Sequence, residues 1–299
     1  MRISVPDREW AETLSDLGAE VVVWDATSPQ PAERLDLVLW PYLSDAAALS
    51  EVDVARVGLI QGQSLGYDGV AERLPSGGVY ANAVGVHESA TAELAMALLL
   101  TATRGVDGFV RDQAEHRWAK RWTPGLIDRR VLLLGVGGIG GEIRSRLSGF
   151  GATVVPVGSR SRDEAWGHVH GIDELDELLP GVDAVVVAVP LTAGTTGLVD
   201  ADFLARLPDG ALVVNVSRGK IVETDAVVAE QGRIGFAADV VDPEPLPPDH
   251  PLWTTPGVLL TPHVGGMSSS MRSRVETVVR RQVARLLAGE EPDDVVVRT

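Results

Sequence analysis

Three ionisable side chains stand just beyond apolar runs and are of the types that bind anions or move protons. Arg218 follows Leu212–Asn215 in Asn215-Val216-Ser217-Arg218-Gly219, and His263 follows Val258–Leu260 in Thr261-Pro262-His263. Glu244 sits in Asp242-Pro243-Glu244-Pro245, shortly after the run Gly235–Val240 that contains Asp239. A guanidinium fork can clamp a carboxylate, and an imidazole exchanges its proton near neutral pH. Each also has a plainer reading. Arg218 reads equally as a surface arginine and His263 as a hydrogen-bonded strand-end histidine, while Glu244 taken alone reads as an exposed turn residue.

A fourth feature is Gly135-Val136-Gly137-Gly138-Ile139-Gly140, which fits G-x-G-x-x-G. With 32 glycines in the chain the motif alone is weak, but it follows the apolar run Val131–Leu134, opens a helix, and is followed by a second run from Thr153. In that βαβ setting the glycines allow a tight turn, backbone approach to a pyrophosphate, and close helix–strand packing. The N–H groups of the helix N-terminus then face the anion, so Gly135, Gly137, Gly138, Ile139 and Gly140 are assigned to a dinucleotide. NAD binding calls for an acidic residue where the second strand ends. Here Thr153–Val157 runs into Gly158-Ser159-Arg160-Ser161-Arg162, and the first carboxylate is Asp163. Two arginines without a carboxylate suit a 2′-phosphate. Ser159, Arg160 and Arg162 therefore predict NADP, with NAD possible; the plainer alternative is a solvated loop.

The elements that must position these groups follow from the apolar pattern. Val131–Leu134, Thr153–Val157, Ala184–Val189, Leu212–Asn215, Gly235–Val240 and Val258–Leu260 read as strands, separated mostly by helices such as Ile139–Leu147, Asp200–Leu207 and Thr224–Glu230. Near-continuous apolar strands alternating with helices indicate a parallel sheet covered on both faces. Arg2–Val5, Val21–Trp24, Leu37–Leu39 and Val57–Ile60 read as further buried strands, Asp7–Leu17 as a first helix closed by Gly18, and Glu88–Thr103 as a long helix. Ser268–Ala288 reads as a last helix stopped by Gly289, with a closing strand at Val295–Val297. In open α/β sheets ligands lie beyond the carboxyl ends of the strands, and that is where Arg218, Asp239 and His263 fall.

Composition narrows the class. At 299 residues, 45% of them hydrophobic, the chain can bury two cores and is not disordered. Its longest apolar stretches, Leu94–Leu100 and Ala184–Leu191, are too short to cross a bilayer. Arg2–Val5 runs directly into charged residues, so no secretory signal is read and a cytoplasmic location is expected. There is no cysteine, which removes disulfides and thiolate chemistry. A net charge of −16 argues against nucleic acid and anionic membranes, and any anion site must be built locally.

Taken in order, the motifs resemble those of the D-isomer-specific 2-hydroxyacid dehydrogenases over nearly the whole chain. They are Asn82 and Ala90-Thr91-Ala92-Glu93, the glycine loop, Pro190-Leu191-Thr192, Asn215–Gly219, Asp239 through Glu244-Pro245, Pro251-Leu252-Trp253, and Pro262-His263-Val264-Gly265-Gly266. The resemblance implies two Rossmann-like α/β domains with parallel sheets. A dinucleotide domain, 97–271, would be inserted into a discontinuous substrate domain made of 1–96 and 272–299. It implies that Arg218 binds substrate, that Glu244 orients His263, and that His263 is the acid/base in reducing a 2-keto acid such as glyoxylate, hydroxypyruvate or a larger one. It also implies that Asp239 contacts the nicotinamide amide and that Thr91, Pro190 and Thr192 touch the cofactor. Leu65 and Gly66 would hold the substrate carboxylate through their N–H groups, and the chain would be a homodimer through the Glu88–His116 region. Phosphite dehydrogenases of this family carry lysine where Leu65 stands, and formate dehydrogenases carry glutamine where Glu244 stands. Both departures favour a keto acid.

Two other functions compete. A cofactor-sensing corepressor relative would keep the same residues without turnover. Gly62-Gln63-Ser64-Leu65-Gly66 also fits the G-x-S-x-G nucleophile elbow, with Asp239 or Asp242 and then His263 in hydrolase order; however, Gly66 and Gly69 follow where a helix should open, and the glycine loop is left unused. His168-Val169-His170 has the spacing of a strand metal pair but reads as a solvated loop without an accompanying carboxylate cluster, so no metal is expected. Trp118 and Trp122 read as packing anchors.

Overall fold

A computed structural model of the chain describes residues 1–44 and 46–299, which divide into two compact units. Unit 1 comprises Met1–Glu88 and Gly266–Thr299, and unit 2 comprises Ser89–Gly265.

In unit 1 the strands β1 (Arg2–Val5), β2 (Glu20–Val23), β3 (Leu35–Leu39), β4 (Val57–Gln61) and β5 (Val79–Ala81) form a parallel sheet in the order 5-4-3-1-2. The last strand of the chain, Val295–Arg298, adds antiparallel to β5. Helices α1 (Arg8–Thr13) and α2 (Val70–Arg73) belong to this unit, as does the long C-terminal helix Met271–Leu287. Val275, Val278, Val279 and Val283 of that helix, three and four residues apart, pack on Ile3, Val5, Leu37 and Leu39.

Two elements depart from the sequence reading. The helix expected over 7–17 ends at Thr13, with Asp7 capping it through Trp10 N–H; Leu14 completes the apolar face, and the chain turns before Gly18. The strand expected at Val21–Trp24 is only partly buried: Trp24 lies in the core, Val21 and Val22 are half-buried and Val23 faces solvent. As β2 it is the sheet edge, with Val23 about half exposed.

In unit 2, β6 (Arg130–Leu134), β7 (Thr153–Gly158), β8 (Arg162–Glu164), β9 (Gly167–Gly171), β10 (Ala184–Val187), β11 (Leu212–Asn215), β12 (Gly235–Ala238) and β13 (Val258–Leu260) form a sheet ordered 13-12-11-10-6-7-9-8. All neighbours are parallel except β8 and β9. The strand at the end of the chain, Val295–Arg298, is thus β14. Helices α3 (Glu88–Arg104), α4 (Val106–Ala114), α5 (Gly138–Leu147), α6 (Leu175–Leu178), α7 (Ala201–Arg206) and α8 (Thr224–Ala229) precede α9 (Met271–Leu287). Strand alternation explains the two cores. Val131, Leu133, Ala184 and Val186 face Ala92, Leu99, Ile143 and Leu147, whereas Leu132, Leu134, Val185 and Val187 face Leu175, Phe203 and Leu204. Because Ala92, Ala95, Met96 and Leu99 belong to the first of these cores, α3 beyond Glu88 goes with unit 2.

Two more expectations fail here. Trp118 and Trp122 are 92% and 102% exposed and anchor nothing within the chain; they lie in a segment after α4 without regular structure. His168 and His170 are not in a loop but on β9, whose partner strand and following turn bring carboxylates to both. Among the described residues no helix is long and apolar enough to cross a membrane.

Candidate active site

The order of strands in unit 2 reverses beside β6, with β7 on one side and β10 on the other, which is the position where parallel α/β sheets open a ligand crevice. The glycine turn sits there. Gly135, at φ +106°, passes so close to Ala188 that a Cβ would lie 3.0 Å from Val189 N and closer still to the Ala188 carbonyl. At Gly140 a Cβ would run into the Gly135 carbonyl, whereas at Gly137 it would meet nothing within 4 Å. Two glycines are therefore forced by packing, and the third keeps an open cradle at the N-cap of the ten-residue α5, whose first-turn N–H groups have no partner within the helix. This arrangement fits a dinucleotide pyrophosphate.

Beyond β7, Ser159 and Arg160 are exposed, while Arg162 leans over Gly158 and pairs with Glu164. Beyond β10, Thr195 Oγ1 accepts from Thr192 N–H and donates to Pro190 O, closing the 190–195 loop.

Arg218 is placed by the end of β11. Asn215 is fully buried; its amide oxygen accepts from Ser217 N–H and its NH₂ donates to Arg218 O. Ser217 Oγ donates to Val189 O, tying this turn to the β10 exit, and Arg218 Nη1 donates to Ser217 O at 2.7 Å. Gly219 follows because nothing larger fits. A Cβ there would lie 2.7 Å from Asp242 N and inside the Val241 carbonyl. The Arg218 turn and the loop carrying Glu244 are thus pressed backbone to backbone, and Thr224 Oγ1 donates to Asp242 O from the far side.

His263 and Glu244 meet directly, with Nδ1 2.8 Å from Oε2. Glu244 Oε1 accepts from Val241 N–H, so one carboxylate oxygen fixes the loop and the other receives the imidazole. Burial works against ionisation of Glu244, yet the hydrogen bonds from His263 and Val241 hold its pKa below the usual value. The hydrogen bond to Glu244 raises the His263 pKa against the pull of burial; the charges of Glu244 and Asp239 add to this and Arg218 subtracts. The imidazole is half exposed, and Nε2 is the ring nitrogen that Glu244 leaves over.

Asp239 does the bracing. Its Oδ1 accepts from Thr261 Oγ1 (2.6 Å) and Val264 N–H, its Oδ2 from Gly265 N–H, and its carbonyl from His263 N–H at 2.7 Å. His263 is held at φ +54° by these bonds, a conformation uncommon for a non-glycine residue. A side chain on Gly265 would press on Asp239 Oδ2 at 2.9 Å and on Thr91 at 3.4 Å, which places Thr91 against this loop. The bracing by Asp239 and Thr261 had no signal in the sequence beyond their position at strand ends.

Leu65 and Gly66 belong to unit 1, after β4. Asn82 Nδ2 donates to Leu65 O and Ala83 N–H to Ser64 O, which fixes the segment from behind. No helix opens at Ser64; the next, α2, starts at Val70, so the nucleophile-elbow context is not met. Asp239 and His263, moreover, are engaged with Thr261 and Glu244 respectively.

Comparison with known proteins identifies the family. The family model for the "D-isomer specific 2-hydroxyacid dehydrogenase, NAD binding domain" matches residues 96–265, more than half of the chain. The glyoxylate reductase/hydroxypyruvate reductase of Homo sapiens is 31% identical over 292 residues, covering 91% of this chain and 89% of that protein. The glyoxylate reductase of Korarchaeum cryptofilum is 32% identical over 246 residues, or 78% and 74% of the two chains. The crystal structure of a D-isomer specific 2-hydroxyacid dehydrogenase from Xanthobacter autotrophicus Py2, in complex with NADPH and MES, superposes with a TM-score of 0.82 at 26% identity over 99% of this chain and 97% of that one. The chain belongs to the D-isomer specific 2-hydroxyacid dehydrogenases, oxidoreductases that act on CH–OH donors through an NAD-type cofactor.

Proposed function

We propose that the protein reduces a small 2-keto acid of the glyoxylate or hydroxypyruvate class to its 2-hydroxy acid, with NADPH preferred to NADH. The observation that carries this reading is the Glu244–His263 pair, an imidazole whose pKa the carboxylate raises, on the sheet whose strand ends also carry Arg218 and the glycine turn. The reductase names of the relatives support the substrate class. NADPH in the Xanthobacter neighbour supports the cofactor, as do Ser159 and Arg160 where a carboxylate would otherwise bind the ribose. Gly135, Gly137, Gly138, Ile139 and Gly140 would hold the pyrophosphate, and Asp239, Thr91, Pro190 and Thr192 would flank the nicotinamide half. When bound, the reduced cofactor supplies the hydride for the keto carbon.

The protein's own part is proton delivery and charge placement. Arg218 binds the substrate carboxylate and polarises the keto oxygen. His263 gives its Nε2 proton to the developing alkoxide while Glu244 stabilises the imidazolium that gives it. We further propose a homodimer, supported by the apolar side chains that α4 and the segment after it leave exposed: Val106, Val110, Trp118, Trp122 and Ile127.

The test is oxidation of NADPH, followed by absorbance, against a panel of 2-keto acids with NADH as control. A higher kcat/KM with NADPH is expected; a clear preference for NADH removes the cofactor assignment, and no turnover of any 2-keto acid removes the substrate class. The pair also sets a pH dependence. Because the His263 pKa is raised above the ordinary 6.5, reduction should fall as the pH rises past that raised value, at a higher pH than a free imidazole would set. Oxidation of the hydroxy acid should rise over the same range. Glu244→Gln removes the charge that holds the proton, so the descending limb of reduction should move to lower pH. A limb that stays in place refutes the pairing as its cause.

A further inference from the structure

The second cluster of titratable side chains in unit 2 lies on the β8–β9 hairpin, on the strands that follow the Ser159–Arg160 bend. His168 and His170 are two apart on β9, with Val169 between them wholly buried, so both imidazoles rise from the same outer face. Their ring centroids are 4.8 Å apart at 86°. Antiparallel pairing sets Asp163 of β8 directly opposite His168, and its Oδ1 lies 2.8 Å from His168 Nδ1. Glu174, in the 3₁₀ turn just after β9, is fixed by Gly171 N–H on Oε1 and brings Oε2 to 2.7 Å from His170 Nδ1.

We propose that His168, His170 and Glu174 form a site for a divalent transition-metal ion of the zinc–nickel–copper class. One ligand atom from each of the three lies within 4.8 Å of the others. An ion bound at about 2.0–2.1 Å to nitrogen or oxygen in tetrahedral geometry needs its ligands roughly 3.4 Å apart, so side-chain shifts of about an ångström close the site. Two imidazoles and one carboxylate are a donor set that favours these metals over calcium or magnesium, which prefer all-oxygen shells. The outer contacts are those such a site needs. Asp163 holds His168 through Nδ1 and so presents its Nε2 as the ligand; the Gly171 N–H occupies one Glu174 oxygen and orients the other. The ion would replace the proton shared by His170 and Glu174, and would displace the long 3.3 Å contact between His168 Nε2 and Ser161 Oγ. The site is half open to solvent, with side-chain exposures of 47%, 30% and 34%, which leaves the fourth position to water.

The test uses the full-length, untagged chain stripped with a chelator and titrated separately with Zn²⁺, Ni²⁺, Co²⁺ and Cu²⁺ by calorimetry. One equivalent of ion should bind per chain in the affinity order Co²⁺ < Ni²⁺ < Cu²⁺ > Zn²⁺. His170→Ala and Glu174→Gln should each weaken Zn²⁺ binding at least about tenfold, and His168→Ala/His170→Ala should abolish it. In the unaltered chain, NMR of the imidazole nitrogens should show His168 and His170 shifting with Zn²⁺ while His263 does not, a readout that needs no variant to fold. Unchanged affinity in the double variant, shifts confined to His263 or to His87, His116 and His250, or no saturation below millimolar Zn²⁺ would overturn the proposal. In that case the two His–carboxylate pairs serve only to staple the hairpin.

Discussion

Replacement of His263 by asparagine is expected to lower kcat for keto-acid reduction by at least about 10², within the 10²–10⁴ range of a positioned proton transfer. Asparagine is the informative substitution because the residue sits at φ +54°, a conformation that asparagine tolerates and alanine does not favour. The backbone bonds from His263 N–H to Asp239 O and the rest of the loop should then survive, so that the loss reports proton transfer and not a collapsed loop. The variant should bind cofactor as the parent does and show no descending limb in its reduction pH profile, since the titrating group is gone. Combining it with Glu244→Gln should cost little more than His263→Asn alone, because the carboxylate acts through the imidazole. A kcat within a few-fold of the parent would end the assignment of His263 as the acid.

Arg218→Lys is expected to reduce kcat by roughly 10²–10³, the loss seen when one donor to a developing oxyanion is removed, and to raise KM for the keto acid. The guanidinium donates from Nη1 to Ser217 O at 2.7 Å, and its planar fork sets donors in fixed directions. A lysine keeps the charge but has a rotating ammonium in place of the fork. That difference makes the experiment specific. Arg218 lowers the His263 pKa through its charge, and the charge is retained, so the pH limb should stay near its parental position while the rate falls. Parental kcat and KM would show that the arginine is a charge and not a clamp; a large shift of the limb with unchanged rate would assign it to tuning His263.

The parts of the molecule that are legible in the sequence are those whose requirements are local. The glycine turn is one, since strand, turn and helix follow one another within a few residues, and the apolar runs of unit 2 became the parallel strands β6, β7, β10, β11, β12 and β13. The end of α1 is not legible because helical pattern continues past the point where Leu14 has already completed the buried face. The edge position of β2 is not legible because its valines look alike at a sheet edge and at its centre; only strand order separates the two. Trp118 and Trp122 carry the composition of a core and are exposed, since exposure depends on what the rest of the chain leaves for them to pack against.

The same division runs through the candidate site. Residue types at strand ends, in order, were enough to single out Arg218, Asp239, Glu244 and His263, because a parallel sheet sends every carboxyl end to one edge. Their actual partners were not readable. That Gly219 must be glycine follows from the Val241 carbonyl, twenty-two residues away along the chain. That Asp239 braces the histidine loop follows from Thr261, Val264 and Gly265 arriving over it. The carboxylates beside His168 and His170 were present in the sequence, but only the antiparallel register of β8 and β9 and the turn after Gly171 bring them to the imidazoles. The sequence by itself determined the elements and the chemistry available at their ends, since both depend on neighbours along the chain. The tertiary structure decided which groups meet, how each is oriented and what its charge feels, because hydrogen bonds and Coulomb forces act across distances in space that the order of residues does not state.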